Sequence, residues 1–462
     1  MTISEAASSL RKRRFSAVEL TTAAISRIER LDKRLGAFIT PTAPYALNRA
    51  RQADDELASG NDRGPLHGIP IAVKDLFSTR GVRTTAGSRI FENLVPESNA
   101  TVVSLLEEAG AVLLGKLNMH ELAYGITSDN PFFGTVRNPW NEAHSPGGSS
   151  GGSGVAVAAN MVYAALGTDT GGSIRIPAAF CGAVGLKPTY GRVSRQGVLP
   201  LAYTLDHVGP LTRSVADAAM ILNAIAGRDP LDDSSSRHPT IDYVPEEGDS
   251  IRGLRLGFPE NFFYDRLDPE VESAVRGACA RAETLGAVVK PVAVPDMAAI
   301  NAIGRIILLA EASAHMEKHL GDRSRFGPDV YSLLQQGRLV PATDYINAQR
   351  LRRVVCRQFT ELWREVDCLL TPATPNTAPP IGAQTVKLGG AEEDVRLATT
   401  RLVRGINVLG LPALVMPCGL SEHGLPIGLQ IIGSAFDEAL LLKVGAALEA
   451  GGVGIPPCQL AS

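Results

Sequence analysis

Residues 145–154 read SPGGSSGGSG, and the last eight of them are five glycines and three serines. Taken alone, that is the composition of a flexible linker. The next residues, VAVAANMVYAALGTDTGGSIRIP, are apolar and then glycine-rich again. Linkers seldom abut buried strands, so the fold must bring its most flexible-looking segment against its core. Glycine permits that, because without a Cβ one backbone can approach another closely and positive φ is allowed.

Two other readings of the stretch are open. Gly147-Gly148-Ser149-Ser150-Gly151 matches G-x-S-x-G, the nucleophile elbow. An elbow needs a strand before it, a helix after it, and a later acid and histidine. NPWNEAHSP is a poor strand, and His207, His238, His315, His319 and His423 lie mostly in polar surroundings. A phosphate-binding loop is excluded, since no Gly-Lys-Ser/Thr follows. The remaining reading joins both glycine-serine segments into one site. TDTGGS (168–173) suits a turn whose N–H groups converge on an oxyanion and whose last residue is a nucleophilic serine. GGSSGG brings a second serine alongside. Such a nucleophile needs a base, and Lys74, ending the apolar run GIPIAVK, is the candidate.

Hydrophobic residues make up 45% of the 462, enough for a large core and too many for a disordered chain. Net charge is −3 and the pI about 6.3, so nothing argues for a nucleic-acid partner. RKRR at 11–14 reads as a solvated N-terminal face. Six cysteines are scattered with no C-x-x-C pair, which indicates neither a zinc knuckle nor a disulfide framework and suits a reducing cytoplasm. HMEKH places His315 and His319 one helical turn apart, but without a third ligand it reads as a solvated helix face; no metal or cofactor is expected. Cys181, in AAFCG, reads as core. No signal peptide and no uninterrupted apolar run of membrane-spanning length is evident, so no membrane partner is expected.

Periodicity predicts helices in FSAVELTTAAISRIERLDKRLGAFI, with Ser16 and Glu19 at capping-box spacing, in APYALNRARQADDELASG, in ATVVSLLEEAG, in VADAAMILNAIAG and in the closing FDEALLLKVGAALEA. GIPIAVKDLF, AVLLGKLNM, YAALGTD, LRLGFP, VDCLLTPATP, LPALVMPCG and LPIGLQIIG predict strands, and residues 268–320 read as helical. The alternation argues for an α/β sheet covered on both faces. The polar stretch 228–250 reads as a surface loop or a subdomain boundary.

GGSSGGSG, followed by GTDTGGSIRIPAAFCGAVGLKPTYGRVS and preceded by GPLHGIPIAVKDLF, resembles the core of the amidase signature family. LDHVGPLTRSVADAA and GLPIGLQIIG extend the resemblance over residues 20 to 450 or so. It implies an α/β amidase-signature fold with a large mixed central sheet flanked by helices on both faces. It also implies one domain over 1–462, with the signature core near 65–215 and a helical subdomain or substrate-covering region near 228–350. Carried over by motif, Ser173 is the implied nucleophile. Ser149 is the bridging serine after a cis peptide bond, and Lys74 is the base. The N–H groups of Thr170, Gly171, Gly172 and Ser173 are the implied oxyanion hole. Asp169 and Arg175 match structural ion-pair positions, and Ser150 supports the site.

The family's activity is cleavage or transfer of amide groups, so the expected partner is a small amide, anilide or carbamate. The alternative is a glutamine-hydrolysing amidotransferase A subunit that supplies ammonia for misacylated tRNA. NMHELAYG (118–125) stands where that subunit has NMDEFAMG, and Thr400 stands where it has an aspartate used for glutamine. Both departures favour a free-standing hydrolase, monomeric or homodimeric. Aromatic and apolar residues in YGITSDNPFFG and in the 300–345 region are expected to line its pocket.

Overall fold

A computed structural model describes residues 1–246 and 248–460; Glu247, Ala461 and Ser462, part of the unit expected over 1–462, lie outside the described residues. Its centre is one mixed sheet of eleven strands. In spatial order they are Phe38–Pro41, Val112–Leu117, Pro70–Lys74, Ala164–Asp169, His207–Thr212, Val184–Lys187, Ala413–Leu420, Pro426–Gly433, Cys368–Pro372, Arg255–Pro259 and Val288–Val292. The middle strands are apolar without alternation because helices cover both faces and nearly every position is buried. Pro70–Lys74 pairs in parallel with Val112–Leu117 on one side and Ala164–Asp169 on the other. That register sets the end of the lysine strand beside the start of TDTGGS.

The glycine-serine stretch is a buried helix, Gly151–Ala158, entered from Ser149 and Ser150. Glycine costs roughly 1 kcal/mol against alanine in a helix. Here the backbone leaves no alternative: a Cβ on Gly152 would lie 2.4 Å from Asn118 O and 2.5 Å from Ala37 O. Ser16 and Glu19 form the expected capping box, and Ser214 caps the helix Val215–Ile225 through the Asp217 N–H.

Helix does not run through 268–320. Between Pro269–Thr284 and Met297–Met316 the segment VVKPV forms the edge strand Val288–Val292. Its β-branched valines favour it, and Pro291, which cannot donate to a ladder, is tolerated because the strand is at the edge. Residues 228–350 therefore hold two sheet strands as well as helices. Within the 228–250 stretch, the described residues are a loop tied back to the body. The Asp229 carboxylate accepts from Thr101 and Ser194, and the Asp232 carboxylate accepts from the Arg195 N–H.

The 23-residue span Met297–His319 is long and apolar enough, by length and composition, to cross a membrane. Its Ile300, Ile303 and Ile307 are instead buried in a core cluster with Leu402, Ile406 and Val408, and it carries Arg305 and Glu311. A hairpin with no counterpart among the expected elements, Thr385–Leu388 with Ala391–Asp394, leads into the short helix Val395–Thr400.

Candidate active site

Lys74 ends its strand fully buried, with Nζ 2.7 Å from Ser149 Oγ and 2.9 Å from Thr168 Oγ1. No carboxylate touches it among the described residues. Burial therefore lowers its pKa from 10.5 to about 7, against the weaker opposing fields of Asp206 and Asp169. The Gly148–Ser149 peptide bond is cis. Ser150 joins the two glycine-serine segments: its N–H donates to Ser173 O at 3.2 Å and its hydroxyl to Thr168 O at 3.2 Å.

The turn into Ser173 is organised by Asp169. Its carboxylate accepts from the N–H groups of Gly172 (2.8 Å) and Ile174 (3.1 Å) and pairs with the Arg175 guanidinium at 3.0 Å. Arg175 is itself fully buried and donates onward to Asn407 and Gln430, so neither charge is left unpaired. The expected ion pair is present, but it removes one expected oxyanion donor, because the Gly172 N–H is spent on Asp169. The N–H groups of Thr170, Gly171 and Ser173 donate to no protein acceptor among the described residues. Gly172 has φ +121°, and a Cβ there would fall 2.4 Å from Val403 Cγ2. Ser173, 7% exposed, opens onto a cavity, and its hydroxyl makes no hydrogen bond to a described residue. Contacts of that kind tighten as a reacting complex forms.

The cavity takes Tyr124, Ile126, Leu308 and Leu333 from the two regions expected to line it. Phe132 and Phe133 face elsewhere, under Arg89 and Arg83. Arg305, Arg396 and Arg404 also line it, which no motif in the sequence foretells. Thr400 lies on the wall, its hydroxyl 2.7 Å from an Arg404 terminal nitrogen. His120 faces a neighbouring cleft, 3.0 Å from Asp329. The Cys181 thiol is buried 3.3 Å from Pro146 O, and burial pushes its pKa well up, as a core thiol's would be. His319 packs edge-on against Phe91.

Thr168, Asn407, Gln430 and Arg404 join the site without having been expected there. Gln430 carries a signal, being the one polar side chain in the apolar strand PIGLQIIG.

An eleven-stranded α/β sheet with this doubled glycine-serine core defines the class: an amidohydrolase. The chain belongs to the amidase signature family, whose sequence pattern, described as Amidase, it matches over residues 19–442. It is 41% identical over 475 residues to the A subunit of the glutamyl-tRNA(Gln) amidotransferase of Geobacter sp. (strain M21), covering 97% of this chain and 96% of that one. It superimposes with a TM-score of 0.95, at 38% identity and 100% coverage of both chains, on a structure described as a vestigial protein complex revealing the evolutionary origins of an s-triazine catabolic enzyme. The native peptide amidase of Stenotrophomonas maltophilia is similar at 32% identity and TM-score 0.86, over 100% of this chain and 99% of that one.

Proposed function

We propose that the chain hydrolyses a small linear amide through an acyl-enzyme on Ser173, with Ser149 passing the proton between Ser173 and Lys74. The observation that carries this reading is a buried lysine with no carboxylate in contact, 2.7 Å from Ser149. Near neutral pH such an amine is half unprotonated and can act as a base. Lys74 takes the Ser149 proton as Ser149 takes that of Ser173. Ser173 Oγ then bonds to the amide carbon, and the free N–H groups of the 170–173 turn meet the developing oxyanion. The C–N bond breaks, and the same proton returns through Ser149 to the leaving nitrogen. Water repeats the sequence on the ester and frees the acid. Anilides and carbamates present the same carbonyl to the same groups.

The identity to amidotransferase A subunits supports a glutamine-dependent reading as the second candidate. Two features speak for the hydrolase. No carboxylate lines the cavity over Ser173 among the described residues, so the α-ammonium of glutamine would find no counter-ion there. The net charge of −3 offers tRNA no basic footprint. The test is to incubate the purified single chain with benzamide, an anilide, an aryl carbamate, succinamate and glutamine, and to measure released amine or ammonia. The expected result is turnover of a non-glutamine substrate by the chain alone, with excess hydroxylamine diverting part of the acyl group to a hydroxamate. Turnover of glutamine only, or none until partner subunits and tRNA are added, would reverse the ranking.

A further inference from the structure

Three arginines converge on the cavity over Ser173, from three separate elements. Arg305 comes from the long helix Met297–Met316, Arg396 from the short helix Val395–Thr400, and Arg404 from the start of Arg404–Leu409. Arg305 is exposed and Arg396 and Arg404 are part-buried, and none of the three pairs with a carboxylate among the described residues, whereas Arg175, Arg192 and Arg195 each do. Arg404 is the innermost. Its stem lies over Gly304, and a Cβ built on Gly171, in the turn before Ser173, would sit 3.9 Å from its Nε. That Nε is buried and has no hydrogen-bond partner. The same holds for the hydroxyl of Tyr124, which lines the same cavity. Two buried donors without acceptors thus face one cavity that holds three like charges.

Left alone, the arrangement is unfavourable. Burial and the fields of Arg396 and Arg305 lower the Arg404 pKa to about 10, and burial pushes the Tyr124 hydroxyl up to about 12. Both groups therefore stay protonated at neutral pH and can donate. A guanidinium fork matches a carboxylate in two parallel bonds, and a buried arginine without its anion is costly. The missing member of the site is an anion with several acceptor oxygens.

We propose that the substrate of this enzyme is a carboxylate-bearing amide, whose carboxylate is held by Arg404 and Tyr124 within the field of Arg305 and Arg396. The proposal rests on the hydrolase reading above and narrows it. Because Arg404 lies against the oxyanion turn itself, the carboxylate is only a few bonds from the scissile carbonyl. Monoamides of short dicarboxylic acids fit this description, as do acyl derivatives of small amino acids.

The experiment compares charged and neutral isosteres. For the wild-type chain, kcat/KM is measured for succinamate against succinamide and for N-acetylglycine against its amide; the two pairs put the carboxylate on the acyl and on the leaving side. Binding of malonate, succinate and glutarate to Ser173→Ala is measured by calorimetry, at low and high salt. The expected result is a preference of about thirtyfold or more for the charged member of one pair. Dicarboxylate binding to Ser173→Ala should weaken with salt. In Arg404→Gln both the preference and the binding should be lost. Arg396→Gln, farther from the oxyanion turn, serves as a second variant with the same but smaller expected change, should Arg404→Gln prove unfolded by circular dichroism. Equal or better turnover of the neutral members, or a preference unmoved in both variants, overturns the proposal and leaves the hydrolase reading standing. Salt-sensitive dicarboxylate binding that Arg404→Gln abolishes, with no amide of either kind turned over, sustains the anion site and sinks the hydrolase reading. No binding and no turnover would overturn both.

Discussion

At position 74 the amine of a lysine lies fully inside the protein, in contact with two hydroxyls and no carboxylate. Its pKa of about 7, against 10.5 in the unfolded chain, has two consequences of fixed sign. For the proposed role as base the useful form is neutral, so kcat/KM should rise with pH through about 7 and level off above it. Below pH 6 it should fall about tenfold per unit. In Lys74→Ala the rate should drop by about 10²–10⁴ and this limb should vanish; near-normal activity at pH 7 would remove Lys74 as the base. For stability, the unfolded lysine holds a proton between pH 7 and 10.5 that the folded one has lost, so this group makes folding more favourable as pH rises across that window. At this scale the sequence is legible wherever a residue sits inside an ordered motif: Lys74, Ser149, Asp169, Ser173 and Arg175 all meet in one place. It is not legible for Arg404 and Tyr124. The chain has 45 lysines and arginines, and nothing local distinguishes the few that point into a cavity built from segments near 124, 171, 305 and 400. Nor can spacing show that Gly172, alone in its turn, has its N–H taken by Asp169.

At the level of elements, the segment with a linker's composition is a helix whose glycines are dictated by neighbouring backbone. Alanine should favour a helix over glycine by roughly 1 kcal/mol, yet at position 152 a methyl group would meet two carbonyl oxygens. Gly152→Ala should therefore lower the unfolding free energy, by about 1–3 kcal/mol or more, read as a lower denaturant midpoint at unchanged slope. A stabilised or unchanged protein would show that the Gly152 contact is not restrictive. Strands buried on both faces, such as PIAVK and AALGTD, are readable because short apolar runs that end in a charged residue leave few other outcomes. The edge strand Val288–Val292 is not. It is five residues long and lies between two helices, and only its pairing with Arg255–Pro259 decides its state.

Across the whole molecule, the eleven strands serve to hold two glycine-serine segments, a lysine strand and an arginine-bearing helical layer in mutual contact. The sheet delivers Lys74 and the 168–173 turn from adjacent parallel strands, while the helices of residues 297–337 and 395–409 roof the cavity above Ser173. All of the proposed chemistry depends on Ser173, and not Ser149 or Ser150, forming the covalent bond to the acyl group. Treating the native chain with a phosphonofluoridate and mapping the modified peptide by mass spectrometry tests that dependence at its root. One equivalent of label is expected on Ser173, with no label in Ser173→Ala and strongly slowed labelling in Lys74→Ala. Label on Ser149 or Ser150, or stoichiometric labelling that survives Ser173→Ala, would refute the assignment.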